Sequence, residues 1–308
     1  MSPAILRGIG FALASYAGFA AADAAIKLAS QRFSVFQIAA TVALFALLPV
    51  LAFAQREGGM RALLPARPQA VLLRAVLTAT CGLAVWESFR TLPLAEAYAL
   101  LFTTPLIATA MSALVLGEEV GWRRWTATGL GFLAVVIMVR PGFRELALAH
   151  VLAFLGALSG AASMVVLRWI GSTATAASIL FALFATIFLV ALPGAVAQFH
   201  MPTAQELLLQ ATAGLLTGLA QAGLVVAMRR APAVVVAPFQ YSQMLWGIVF
   251  GMWLFGHLPD LGQMAGFLLL VASGLYTVRR EWIRSRQLSF RPLRGEGAAL
   301  PAPAAGNR

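Results

Sequence analysis

Ten apolar runs, most of them about twenty residues long, leave this chain few folds to choose from. A helix of that length crosses a hydrocarbon core of about 30 Å at about 1.5 Å per residue. The runs cover roughly 5–27, 34–54, 69–90, 94–116, 123–140, 149–168, 175–197, 206–228, 233–255 and 261–279. The connections are short, and none could fold alone. The longest pieces outside the runs are 55–68 and the tail after Arg280. Hydrophobic residues make up 61% of the chain and charged residues 11%. A soluble domain is roughly half apolar and about a quarter charged. The expected fold is therefore an all-α polytopic membrane protein with ten transmembrane helices.

The net charge is +11. In a soluble protein that excess would suggest nucleic acid, but here it lies between apolar runs and in the tail, so no nucleic-acid partner is expected. With the N-terminus cytoplasmic, one side of the membrane holds Arg7, Arg56, Arg61, Arg67, Arg74, Arg123, Arg124, Arg168, Arg229, Arg230 and the seven arginines from Arg279 on, 17 in all. The other holds Lys27, Arg32, Arg90, Arg140 and Arg144, which is 5. Basic residues concentrate on the cytoplasmic side, so both termini are expected there. The first run carries Asp23 and Lys27 and is followed by further spans, which reads as a retained first helix. The single cysteine, Cys81, excludes an intrachain disulfide. Residues 282–308 are basic and rich in Pro, Gly and Ala, a composition that cannot bury a core and is expected to be disordered.

The two halves correspond weakly. A shift of 139 sets Pro93 on Pro232, Leu116-Gly117 on Phe255-Gly256 and Val139-Arg140 on Val278-Arg279. A shift of 141 sets Lys27 on Arg168. Five spans per half is an odd number, so the second half would enter the membrane from the opposite side. Inverted repeats favour secondary transporters, whose sites lie between the repeats, although channels and scaffolds are also duplicated.

Polar residues within the spans mark the candidate site. Asp23 and Lys27 are spaced i, i+4 with the acid first, the better order for a helical pair, so they could neutralise each other with Lys27 reaching outward. Glu87 and Arg90 close the third span beside Trp86. Glu96 stands in the first turn of the fourth, where free N–H groups favour a carboxylate. Asp23, Lys27 and Glu87 are candidate outer-gate or coupling groups. A carboxylate held out of water could carry a coupling proton. The ninth span holds Gln240, Tyr241, Gln243 and Trp246, and the eighth holds Gln221. Side-chain amides in hydrocarbon must face helices, water or a ligand. The candidate solute cavity is Trp86, Tyr98, Gln221, Gln240, Tyr241, Gln243 and Trp246. Glycine pairs four residues apart, Gly156/Gly160, Gly214/Gly218 and Gly247/Gly251, read as close helix packing.

Two prolines fall inside spans. Pro105 cannot donate to the carbonyl of Leu101, and Pro238 cannot donate to that of Val234, so the fourth and ninth helices should kink there. Both are candidate hinges.

Catalytic motifs are missing from the sequence. GEEVGWRR at 117–124 contains the Glu-Glu-x-x-x-Arg of some intramembrane proteases, but His150, His200 and His257 lie in loops or at span ends, with no HxxxH or FxxxH. No phosphate-binding G-x-x-x-x-G-K-[ST] loop, no G-x-S-x-G elbow and no metal-ligand cluster is present, so neither metal nor cofactor is expected.

PLAEAYALLFTTPLIATAMSALVLGEEVGWRRWTATGLGFLAVVIMVRPG at 93–142 resembles the end of the first repeat in EamA-type members of the drug/metabolite transporter superfamily. VVVAPFQYSQMLWGIVFGMWLFGHLPDLGQMAGFLLLVASGLYTVRRE at 234–281 resembles the end of the second, and Lys27 closing the first span fits the same pattern. The resemblance implies a first repeat over 1–142, a second over 143–281, and a central cavity formed mostly by spans 1, 3, 4, 6, 8 and 9. It implies a small-molecule substrate such as an amino acid, a cofactor or a nucleoside, often moved outward. The second repeat has His257 where the first has Glu118, a departure that puts a shared role for the two in doubt. The expected function is a secondary transporter of the bacterial inner membrane, an exporter or exchanger of a small metabolite, with the bilayer and a coupling proton as further partners, working as a monomer or homodimer. Import of riboflavin or a nucleoside-like solute is the alternative, and a channel or a polytopic enzyme the alternative of another class.

Overall fold

The computed structural model describes residues 3–116, 122–139, 147–170, 174–269, 271–272 and 276. Glu118, Arg140, Arg144 and the tail 282–308 lie outside these. Every regular element among the described residues is helical. The order is α1 Pro3–Ala29, α2 Val35–Arg56, a 3-10 segment Gly59–Leu63, α3 Pro68–Ser88, α4 Leu94–Leu101, α5 Thr104–Leu116, α6 Trp122–Val139, α7 Leu148–Ile170, α8 Ala176–Ala197, α9 Ala204–Arg230, α10 Ala233–Val236, a 3-10 segment Ala237–Gln240, and α11 Tyr241–Phe255. A further helical run covers 261–269.

Among the described residues seven helices are long and apolar enough to cross a membrane, α4 and the start of α5 counting together as Leu94–Met111. The chain is an all-α polytopic membrane protein. Side-chain caps set several helix starts. Ser34 accepts from Gln37 N, Thr175 accepts from Ser178 N, and Thr203 and Glu206 form a reciprocal capping box. Asp260 and Gln263 bond each other's backbone amides in the same way at the start of the last run.

The packing pairs follow a pattern. α1 lies on α9 and α11, α3 on α7 and α8, α2 on α8 and α9, α7 on α4 and α5, and α4 on α11. Exchange α1 with α7, α2 with α8, α3 with α9, and α4–α5 with α10–α11, and these pairs map onto themselves.

Glycines make the closest approaches. A Cβ on Gly214 would lie 2.6 Å from the Val42 carbonyl oxygen, and one on Gly218 would lie 2.5 Å from that of Ala46. A Cβ on Gly156 would lie 2.7 Å from a Val85 methyl. Backbone touches side chain or backbone at each of these places, which is the packing role their spacing suggested.

The break in the fourth span falls one turn before the proline. α4 ends at Leu101 and α5 begins at Thr104, so the chain turns at Phe102–Thr103 rather than at Pro105. The reason is steric and local. A proline ring clashes with the carbonyl four residues back, which is Leu101, and removes its donor. Pro105 itself then sits in the first turn of α5, where a missing N–H costs little. Two threonines satisfy the carbonyls left over. Thr103 Oγ1 donates to Leu100 O at 2.6 Å and Thr104 Oγ1 to Leu101 O at 2.5 Å. The ninth span breaks similarly. Pro238 lies in the 3-10 segment between α10 and α11, and Ser242 Oγ donates to Phe239 O at 2.6 Å.

Candidate functional site

Asp23 of α1 gathers residues from three other helices. The α4 residue Tyr98 donates its hydroxyl to Asp23 Oδ2 at 2.7 Å. Gln243 of α11 donates Nε2 to the same oxygen at 3.2 Å. Trp86, at the end of α3, stands close to the carboxylate as a third neighbour. The three neighbours lie 63, 75 and 220 residues from Asp23 in sequence. Asp23 keeps some accessible surface, whereas Tyr98 is 0% exposed. A carboxylate offers about four acceptor positions, so it can hold several donors without being shielded completely.

Packing fixes the Tyr98 ring. It lies edge-on to Phe89 at 6.1 Å and stacked on Phe102 at 6.2 Å. Its far edge rests on Gly247, where a Cβ would come within 2.5 Å of a ring carbon. Phe102 in turn meets the half-buried Tyr241 at 5.6 Å. Phe89, Tyr98, Phe102 and Tyr241 form a continuous aromatic row beside the carboxylate.

Lys27 does something other than its spacing suggests. It neither pairs with Asp23 nor reaches outward, and it is 3% exposed. Nζ donates to the carbonyls of Phe89 and Leu92, both at 2.6 Å, and lies 5.2 Å from the Phe255 ring centre. The cause is the end of α3, where carbonyls lack intrahelical donors and the helix dipole is negative. One ammonium thereby pins the ends of α1 and α3 and the turn into α4.

The remaining candidates are spread out. Glu87 pairs through Oε1 with Arg90 at 3.3 Å, while its Oε2 is buried and unpartnered. Trp246 is 40% exposed and stacks on Phe250. Gln221 and Gln240 are half-buried and take no part in the Asp23 cluster. A cavity of about 270 Å³ lies beyond Gly247, between Pro93–Ala95 of the α4 start, α11 and residues 256–260. It is separate from the Asp23 carboxylate.

Two features escaped sequence reasoning. The aromatic row needs Phe89 and Phe102, which look like ordinary lipid-facing residues in one dimension. Glu96, 4% exposed, faces His150 of α7, with Nε2 and Oε1 3.1 Å apart. The histidines do lie at helix ends or in loops, but one of them meets an acid within the bundle. No group of three or more His, Cys, Asp or Glu that could hold a metal occurs among the described residues.

The profile of the EamA-like transporter family matches residues 6–140. A riboflavin transporter of Rhizobium johnstonii is 31% identical over 247 residues, covering 79% of this chain and 80% of that protein. The chain belongs to the EamA-like transporter family. That places it in the drug/metabolite transporter superfamily and points to transport rather than catalysis. Other family members extend the likeness. A riboflavin transporter of Vibrio cholerae is 28% identical, covering 92% of this chain and 96% of its own. An S-adenosylmethionine uptake transporter of Rickettsia conorii is 25% identical, with 90% and 94% covered. A crystal structure superposes with a TM-score of 0.64 at 17% identity, covering 93% of this chain and 99% of that one, a likeness of fold alone.

Proposed function

We propose that this EamA-like transporter takes up a small metabolite built on a flat heterocycle, with riboflavin the first candidate, by alternating access across the bacterial inner membrane. The observation that carries the reading is the Asp23 carboxylate, bonded by Tyr98 and Gln243, with Trp86 close by, beside an aromatic row. Aromatic faces suit a planar ring, and a carboxylate with an amide suits its N–H and hydroxyl groups. Two relatives named as riboflavin transporters favour that solute, and one named for S-adenosylmethionine uptake favours import over the export first expected from sequence. On this reading Asp23 belongs to the solute site, and Lys27 to a lock at one end of the bundle.

Two inverted five-span halves, 1–142 and 143–281, complete the proposal. The self-mapping set of packing pairs supports it. So does the pair of proline-broken spans, one in each half. Arg56, Arg61, Arg67, Arg229 and Arg230 fall at one end, where Arg229 also pairs with Glu57, and their excess favours that end as cytoplasmic together with both termini.

Counterflow in proteoliposomes tests the function. Labelled riboflavin should exchange saturably against unlabelled riboflavin. S-adenosylmethionine flux without riboflavin flux would transfer the reading to the second solute, and flux of neither would sink it. Conductance without saturation would indicate a channel.

The broken fourth span carries its own prediction. Pro105→Ala supplies an amide that can reach the Leu101 carbonyl and join α4 to α5. If the break flexes during transport, the counterflow rate should fall several-fold with the protein still folded. An unchanged rate would count against a hinge at this place.

A further inference from the structure

Glu96 and His150 form a buried acid–base pair that the solute cluster does not use. Their side chains are 5% and 11% exposed. The second ring nitrogen of His150 lies against both polar groups of one residue. Ala147 N donates to Nδ1 at 3.1 Å, and Ala147 O lies 3.3 Å from the same atom. In the neutral ring, Nδ1 accepts from the Ala147 amide while Nε2–H donates to Glu96. In the protonated ring, Nδ1–H donates to the Ala147 carbonyl while Nε2–H still faces Glu96. Both charge states are therefore hydrogen-bonded in nearly one geometry. His200 has its Nδ1 on the Gln198 carbonyl at 3.0 Å, and His257 stacks on Phe255. Neither of these contacts is with an acid.

We propose that Glu96 and His150 are a proton-binding site joining the start of α4 to the start of α7, and that its occupancy sets how firmly α4 is docked. The proposal rests on the transporter reading, which it supplies with a coupling ion. α4 has only 8 residues and ends at the Phe102–Thr103 break. Tyr98, two residues after Glu96, holds Asp23. One short rigid helix thus links the proton pair to the solute cluster.

Other titratable residues also lie on the packed elements. α3 carries Arg74, Cys81 and Glu87, the last bonded to Arg90. α11 carries Tyr241 and leads to His257 and to Asp260, which caps the following helix. α6 carries Arg123 and Arg124 in its first turn, α7 carries Arg168 near its far end, and α5 carries none. On α1, Lys27 is held by two carbonyls and Asp23 by Tyr98 and Gln243.

The chain has three histidines, so ¹⁵N-histidine NMR of the purified protein can follow each ring. Neutral His150 should show the Nε2–H tautomer, and lowering the pH through the range scanned should add a proton at Nδ1 with Nε2–H still on Glu96. Hydrogen exchange of amides 94–101, corrected for intrinsic rates, should slow several-fold at the acid end of that range as the charged pair tightens. His150→Gln and Glu96→Gln should each remove this difference. An Nδ1–H tautomer, no second proton, or an unchanged pH dependence of α4 exchange in either variant would overturn the proposal. If a variant does not fold, the wild-type titration and the other variant decide. Both readouts are made without solute, so absence of riboflavin flux would end the substrate assignment alone.

Discussion

Asp23→Asn should abolish transport while leaving the protein folded. Asparagine matches aspartate in size, so the packing of α1 against α9 and α11 should survive. The change removes the charge and places an NH₂ donor among groups that now donate to the carboxylate. Tyr98 and Gln243 both donate to Oδ2, so asparagine can keep its carbonyl oxygen there, but both bonds then lose their charged acceptor. A hydrogen bond to a charged group contributes about 1.5–3 kcal/mol, and about 1.4 kcal/mol corresponds to tenfold. Weakening both bonds to neutral ones and removing the charge from the solute contact should lower the apparent Vmax/KM for counterflow by about a hundredfold. Tyr98→Phe keeps the ring between Phe89 and Phe102 and removes one donor, so a loss of about tenfold is expected. Wild-type flux in Asp23→Asn, measured in protein with an unchanged melting temperature, would remove Asp23 from the solute site.

Lys27→Met should have the largest effect on stability. Methionine fills much of the lysine volume, so the cavity left is small. The carbonyls of Phe89 and Leu92 lose the donor they share, at the turn where α3 hands over to α4. A buried polar group left unpaired costs about 1–3 kcal/mol, and two are affected. The expected loss is about 2–4 kcal/mol, read as an earlier thermal unfolding transition in detergent. Faster hydrogen exchange confined to residues 88–94 should accompany it. Lys27→Arg keeps the charge, but a planar guanidinium cannot replace a compact ammonium between two carbonyls, so only partial recovery is expected. An unaltered transition in Lys27→Met would show that these contacts do not hold the end of the bundle.

How legible the site was depended on the range of the interactions. Trp86, Tyr98 and Gln243 could be picked out one at a time, because an aromatic or an amide inside a span is unusual wherever it points. Their convergence on Asp23 could not be read, since nothing in residue spacing relates α1 to positions 63 to 220 residues away. Lys27 shows the opposite error. The i, i+4 rule is sound for an isolated helix, but the unsatisfied end of α3 lies closer than any solvent. His150 was placed correctly at a helix end and still passed over, because Glu96 reaches it only through the packing of α4 on α7.

The break in the fourth span divides the two kinds of information clearly. That Pro105 would interrupt the helix follows from its missing N–H and its ring, properties carried by the residue itself. So do the apolar run lengths that make this a membrane protein and the family pattern in the two quoted segments. These signals are local and additive along the chain, and they survive without coordinates. Which carbonyls the nearby threonines satisfy, which glycine admits the Tyr98 ring, and which donors meet Asp23 are settled by side chains from separate helices competing for one small volume. Close packing decides such contests within a few tenths of an ångström, a precision that only the tertiary structure carries.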